Sequence, residues 1–362
     1  MQRNLLVTPP VRSLRTDGKA RGMAAAGMRP TDGTPFRLVR DTGTLADGAA
    51  RLAREIRAAS VKQVLADANR TAVRNGAPAA FGTMPRPSVW YAFDRGDQET
   101  ADWYPQGLTC GADSGTIPVS VFLATWYFKP EAGERGIRLT FLSPSTLKYR
   151  HALLVQAAPD GSYKPIDIHA GGVAVYGDQV YIADTTRGLR VFDLTKILDI
   201  TSVQKDLGDG TRVGRHGGKL HAFGYRYIIP QTDSWRVAVK GARFSFVGLD
   251  RTTTPHTLIS GEYAEDHPNG RVVRWNLPLD GEPRDAYVMG HPKIQGAISH
   301  QGRWYLSQSA GSGGNGSLYV YRNGKGERRP FPVGPEDLTA RGTKVWSLTE
   351  FRNKRVVFGV TL

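Results

Sequence analysis

Residues 294–309, I-Q-G-A-I-S-H-Q-G-R-W-Y-L-S-Q-S, hold a pattern that returns along the chain. A polar residue stands beside glycine, an alternating strand follows, and a tight turn at Gly302 leads to a second strand with an aromatic start. Residues 169–184 repeat it as H-A-G-G-V-A-V-Y-G-D-Q-V-Y-I-A-D, and residues 216–232 as H-G-G-K-L-H-A-F-G-Y-R-Y-I-I-P-Q-T. Residues 335–350 give P-E-D-L-T-A-R-G-T-K-V-W-S-L-T-E, and Y-P-Q-G-L-T at 104–109 opens a further copy whose second strand lies in 119–128. A two-strand unit of this size cannot bury its apolar faces alone, so the copies stack on one another. Short period-2 strands with turns between them are accommodated by a radial array of small sheets. The expected fold class is all-β, a five-bladed β-propeller, or six-bladed if the third copy hides two short units.

That arrangement says where a site would sit. The residue opening the first strand of each blade lies near the axis at one mouth of the channel. Those openers are Gln106, His169, His216, Gln295 and Glu336, accompanied by Gly107, Gly171, Gly172, Gly217, Gly218 and Gly296. Glycine fits where backbones converge and no Cβ can be placed. The turn ending each second strand adds a further lining layer: Trp126, Asp184, Gln231 with Asp233, Gln308 and Glu350. Polar residues concentrated at one mouth need partners there, whether protein or ligand.

The chemistry open to this set divides in two. Gln106, Trp126, Asp184, Gln231, Gln295, Gln308 and Glu350 suit the binding of a polar or anionic small molecule or a glycan. His169, His216 and Glu336 suit acid–base catalysis by a hydrolase, lyase or cyclase at the same mouth. The same three residues suit a divalent metal ion, and carboxylate and carbonyl oxygens on the axis would suit calcium. Against these stands the structural use of each residue: carboxylates at strand ends cap turns, and one histidine per blade can simply hydrogen-bond the channel wall. The sequence leaves the cofactor unassigned.

Composition narrows the classes further. The 362 residues include 42 Gly and 22 Pro dispersed among alternating runs, as many short strands require. The single cysteine, Cys110, excludes a disulfide framework and a Cys-based zinc site. A net charge of +15 favours anionic partners in general. No nucleic-acid-binding motif accompanies it, so specific nucleic-acid recognition is not expected. No stretch approaches the ~20 apolar residues of a membrane-spanning helix. The expected partner is a small molecule or glycan, bound by a monomer.

Residues 1–42 read as a flexible basic leader, with eight Lys and Arg against two Asp in the first forty. Residues 43–87 read as a helical extension and linker, the helix broken near Ser60 and ended by Asn75-Gly76. Residues 88–362 form the propeller. Its last repeat supplies three strands, so an N-terminal strand at 88–93 is expected to complete the final blade and remove an open edge. The third blade is read as 219–223, 225–230 and 244–250, followed by 257–263 or 271–275.

The runs Y-P-Q-G-L-T, H-A-G-G-V-A-V-Y-G-D-Q-V-Y-I-A-D-T-T-R-G-L-R-V-F-D-L, F-S-F-V-G-L-D-R and V-G-P-E-D-L-T-A resemble a group of uncharacterised actinobacterial secreted-type β-propeller proteins. The resemblance covers about residues 103–362 and implies the fold, not an activity. Members of that group often carry a signal peptide. Here no apolar run of signal length precedes Pro9 and Pro10, and the expectation for the chain as it stands is a cytoplasmic protein with secreted relatives.

Overall fold

A computed structural model describes residues 27–362; the first part of the expected leader lies outside the described residues. The fold is nearly all-β. Among the described residues, no helix is long and apolar enough to cross a membrane.

Antiparallel pairing groups most strands into four-stranded meanders. Sheet I contains Trp103–Cys110, Phe122–Phe128, Ile137–Leu142 and Lys148–Ala157. Sheet II contains Val173–Tyr176, Gln179–Asp184, Gly188–Asp193 and Tyr227–Val237. Sheet III contains Phe246–Asp250, Thr257–Gly261, Arg271–Asn276 and Pro283–Val288. Sheet IV contains Ile294–His300, Arg303–Gln308, Asn315–Arg322 and Lys325–Val333. Sheet V contains Pro335–Arg341, Lys344–Thr349 and Val356–Thr361, with Trp90–Ala92 as its fourth strand: Val356 faces Ala92 and Phe358 faces Trp90. The last strands of sheets I and II also pair with each other in parallel, Leu153 opposite Ile228.

Local chemistry sets the turns. Gln301-Gly302 and Asn323-Gly324 have positive φ at both positions, which matches the twist of a two-residue hairpin. The strands between turns alternate, and because neighbouring side chains point to opposite faces, each sheet can bury both. Val173 and Val175 pack with Leu123 and Leu139 of sheet I, whereas Ala174 turns toward Val247 and Leu258 of sheet III. Phe246, Ile259 and Val272 of sheet III meet Ala297 and Leu306 of sheet IV. Ile298 and Tyr305 meet Leu338 and Val345 of sheet V, and Trp346 and Leu348 return to Phe122 and Trp126 of sheet I. The apolar layers thus run from sheet to sheet and back to the first.

Glycine allows the first strands to approach. A Cβ on Gly107 would lie 2.6 Å from Val173 N, one on Gly172 2.0 Å from Val247 N, and one on Gly296 2.7 Å from Asp337 Cα. Gly248 does the same against Ala297 O at 2.6 Å. From Asp337, Oδ2 accepts hydrogen bonds from Leu108 N (3.2 Å) and Val173 N (3.0 Å), tying sheet V to sheets I and II.

Three parts differ from the sequence reading. Residues 219–222 are not the first strand of a blade: Lys219–Ala222 pairs only with Val213–His216, in a separate hairpin turned by Gly217 and Gly218 at positive φ. The third sheet begins instead at Phe246, and Tyr227–Val237 belongs to sheet II. Part of the expected flexible leader is ordered: Arg29–Thr31 adds to the edge of sheet III and Leu38–Arg40 to the last strand of sheet II. The helical segment breaks at Ser60. Helix α1 (Leu45–Glu55) packs on the last strands of sheets I and II, with Gly48 close against Ala157. Helix α2 (Val61–Ala66) starts at a reciprocal cap between Ser60 and Gln63, and short strands at Arg70–Thr71 and Val73–Arg74 replace the remaining helix.

Candidate functional site

The first strands of sheets I, IV and V bring Gln106, Gln295 and Glu336 to one end of the array, and the loop before sheet II brings His169. A cavity of about 590 Å³ opens there, lined by Gln106, His169, Thr185, Thr186, Arg243, Ser245, Tyr263, Gln295 and Glu350. Three of these follow second strands: Thr185 and Thr186 in sheet II and Glu350 in sheet V. Gln106 is buried and donates from Nε2 to Glu350 Oε2 at 3.1 Å, which aims the carboxyl. His169 is exposed at the rim, its ring 4.4 Å from that of Tyr127, and Tyr127 in turn stacks on Tyr104 at 5.7 Å.

Behind the lining lies a pair of carboxyl groups. Glu336 is fully buried beside Glu350. Burial, with the nearby charges of Glu350 and Asp337, pushes the Glu336 carboxyl well above the usual range. Burial also raises Glu350, opposed by its hydrogen bonds with Gln106 and Glu336 and by the Arg355 charge. The larger rise falls on Glu336, which favours its protonated form. Glu336 Oε1 has no partner, and neither does Oδ1 of Asp337, whose pKa burial raises well above the usual value.

The remaining sequence candidates lie elsewhere. Asp184 and Gln231 line a smaller cavity of about 260 Å³, bridged by Arg190, which donates to Asp184 Oδ2 at 2.9 Å and to Gln231 Oε1 at 2.8 Å. Asp233 pairs with Arg40 at 2.6 Å. Trp126 is fully buried, its ring 4.8 Å from Phe93, and does not reach the mouth. Gln308 is occupied at both ends, donating to Pro292 O at 2.9 Å and accepting from Tyr319 at 3.1 Å. His216 is exposed on the separate hairpin and bonds through Nε2 to Val213 O at 2.8 Å. It opens no sheet, so the set His169, His216 and Glu336 is not assembled. Among the described residues, no group of three or more His, Cys, Asp or Glu side chains is placed to hold a metal ion.

Sequence reasoning missed Arg243, Ser245 and Tyr263 because it took F-S-F-V-G-L-D as a third strand rather than a first one. Read as a first strand, that run would have made Ser245 an opener. Thr185 and Thr186 adjoin Asp184, which carried the signal one residue too early.

No protein-family model and no curated protein matches the chain. Solved structures similar to it include a GH43_1 enzyme from Xanthomonas citri, 9% identical, TM-score 0.38, covering 88% of this chain and 93% of that one. The RS223 β-xylosidase is 9% identical, with TM-score 0.37 and coverage of 72% and 93%. The hydrazine synthase of Kuenenia stuttgartiensis is 12% identical, with TM-score 0.33 and coverage of 71% and 77%.

Proposed function

We propose that the chain is a five-bladed β-propeller whose axial cavity binds a neutral, hydroxyl-rich small molecule of saccharide type. The cyclic order of apolar layers and the glycine contacts between first strands support the blade count. The cavity lining carries the ligand assignment. The Gln295 side-chain amide, the Gln106 side-chain carbonyl oxygen, hydroxyls of Thr185, Thr186 and Ser245, and the Glu350 carboxyl supply donors and acceptors for hydroxyl groups. Tyr263 and His169 supply ring faces. Only Arg243 among the lining residues carries a fixed positive charge, and Glu350 opposes it, so the mouth does not select for an anion. Its volume falls within the usual range for small-ligand sites, roughly 300–1,000 Å³.

Calorimetric titration of a panel of neutral mono- and disaccharides tests this. A member of the panel should bind saturably, and Gln295→Ala and Tyr263→Ala should each weaken it at least about tenfold, near 1.4 kcal/mol. Wild-type protein that binds no neutral saccharide but does bind acidic ones would overturn the reading.

The proton that burial favours on Glu336, beside Glu350, supports the second reading, an acid–base enzyme at the same mouth. Glu336→Gln separates the readings: binding survives it, whereas turnover that used the proton would fall by roughly 10²–10⁴-fold.

A further inference from the structure

A second cavity, of about 390 Å³, lies away from the axial mouth, where the last strands of sheets I and II meet. Four arginines from separate parts of the chain line it: Arg70, Arg138, Arg150 and Arg226. Their orientation is fixed by carboxylates. Arg70 pairs with Asp94 at 3.0 Å and Arg150 with Asp67 at 2.9 Å, while Arg226 pairs with Asp67 at 2.7 Å and with Asp199 at 2.8 Å. None of Asp67, Asp94 and Asp199 lines the cavity.

The fourth carboxylate, Asp97, does line it, but its lone pairs are occupied. Arg138 Nη2 donates to it at 2.7 Å, Tyr149 at 2.7 Å and His151 Nε2 at 2.9 Å, and Arg70 stands 3.4 Å away. Thr140 completes the network by donating to His151 Nδ1 at 2.7 Å. This order, Thr–His–Asp, has the connectivity of a nucleophilic triad. Thr140 is wholly buried and does not reach the cavity, so here the chain of bonds fixes His151 and Asp97 in place.

Arg138 forms the floor of the cavity. It is 3% exposed and clamped between Trp103 and Trp126, whose ring centres lie 4.3 and 4.5 Å from its guanidinium carbon, and its Nη1 donates to Tyr225 at 3.3 Å. Arg70, Arg150 and Arg226 are partly exposed and are the guanidinium groups an incoming ligand meets. An oxyanion is the group that matches the fork of an arginine. Trp103 and Tyr225 add partly exposed aromatic surface to the same wall.

We infer that this cavity is an oxyanion site, separate from the axial mouth, for a small molecule bearing a phosphate or carboxylate group beside a flat apolar part. Phenyl phosphate and benzoate are the probes, titrated into the full chain at 0.15 M salt to screen diffuse attraction to its net positive surface. One of them should bind saturably, with the tighter of the two identifying the anion. The double variant Arg150→Gln/Arg226→Gln should weaken it at least tenfold, and Arg303→Gln/Arg329→Gln, in an open basic groove on sheet IV, should leave it unchanged. A phenylglyoxal protection experiment on wild-type protein covers failure of the first variant to fold: the bound probe should shield Arg150 and Arg226 but not Arg303. Absence of saturable binding, equal losses in both double variants, or no protection would overturn the inference.

Discussion

Asp337 concentrates at one residue the tension between ring geometry and electrostatics. One of its oxygens ties three first strands together, yet burial raises its pKa well above the usual value, against the backbone hydrogen bonds from Val173, Leu108 and Leu338. A carboxyl whose folded-state pKa is raised stabilises the fold fully below its unfolded value, near 3.9, and that contribution is lost as pH rises through the folded value. Asparagine keeps the acceptor and removes the titration. Asp337→Asn should therefore leave Tm unchanged below pH 4 and raise it at pH 8 by about 2 °C or more, read by thermal unfolding at both pH values. A lower Tm at pH 8 would mean that the carboxylate is charged in the fold. Arg355 acts at the same scale. Fully buried, it donates to the carbonyl oxygens of Asp97, Thr100 and Glu350, and so links the backbone at Glu350 to that of the arginine-lined cavity.

Among the elements, the first strands depend on glycine at their contacts. A Cβ at Gly172 would overlap the backbone of Phe246 and Val247, and backbone cannot move aside as a side-chain tip can. Gly172→Ala should cost about 1–3 kcal/mol or more, measured by urea unfolding, whereas Gly177→Ala, at an open turn, should cost less from packing and only its positive-φ strain. Equal effects at the two positions would contradict the close approach. These same glycines made much of the fold legible. Gly107, Gly172 and Gly296 each follow or adjoin an opener, and Gln106, His169 and Gln295 were found through them. In the hairpin Val213–Ala222, Gly217-Gly218 between two alternating runs imitates the repeat, so His216 reads as an opener although it begins no sheet of the array. Sheet III escaped because residues 251–256 separate its first two strands, where sheets II, IV and V have a tight turn. Periodicity sees turns and alternation. It does not see which first strand meets which neighbour.

For the whole molecule, a closed succession of sheets places residues distant in sequence at one mouth. Gln106 reaches Glu350 across almost the whole repeat region, and Trp90–Ala92 joins strands that follow it by more than two hundred residues. Glu350 was legible because it ends a second strand. Arg243 and Tyr263 were not, since their sheet was misassigned. The arginine-lined cavity lay beyond sequence reading altogether, because Arg70, Asp97, Arg138, His151 and Arg226 share no motif and meet only where sheets I and II do. The most direct test of the account is a crystal structure of the protein soaked with a mixture of neutral mono- and disaccharides at saturating concentration. The account predicts a sugar in the axial cavity, hydrogen-bonded to Gln106, Gln295 or Glu350. A sugar seated elsewhere, or an axial cavity holding only water, would contradict it.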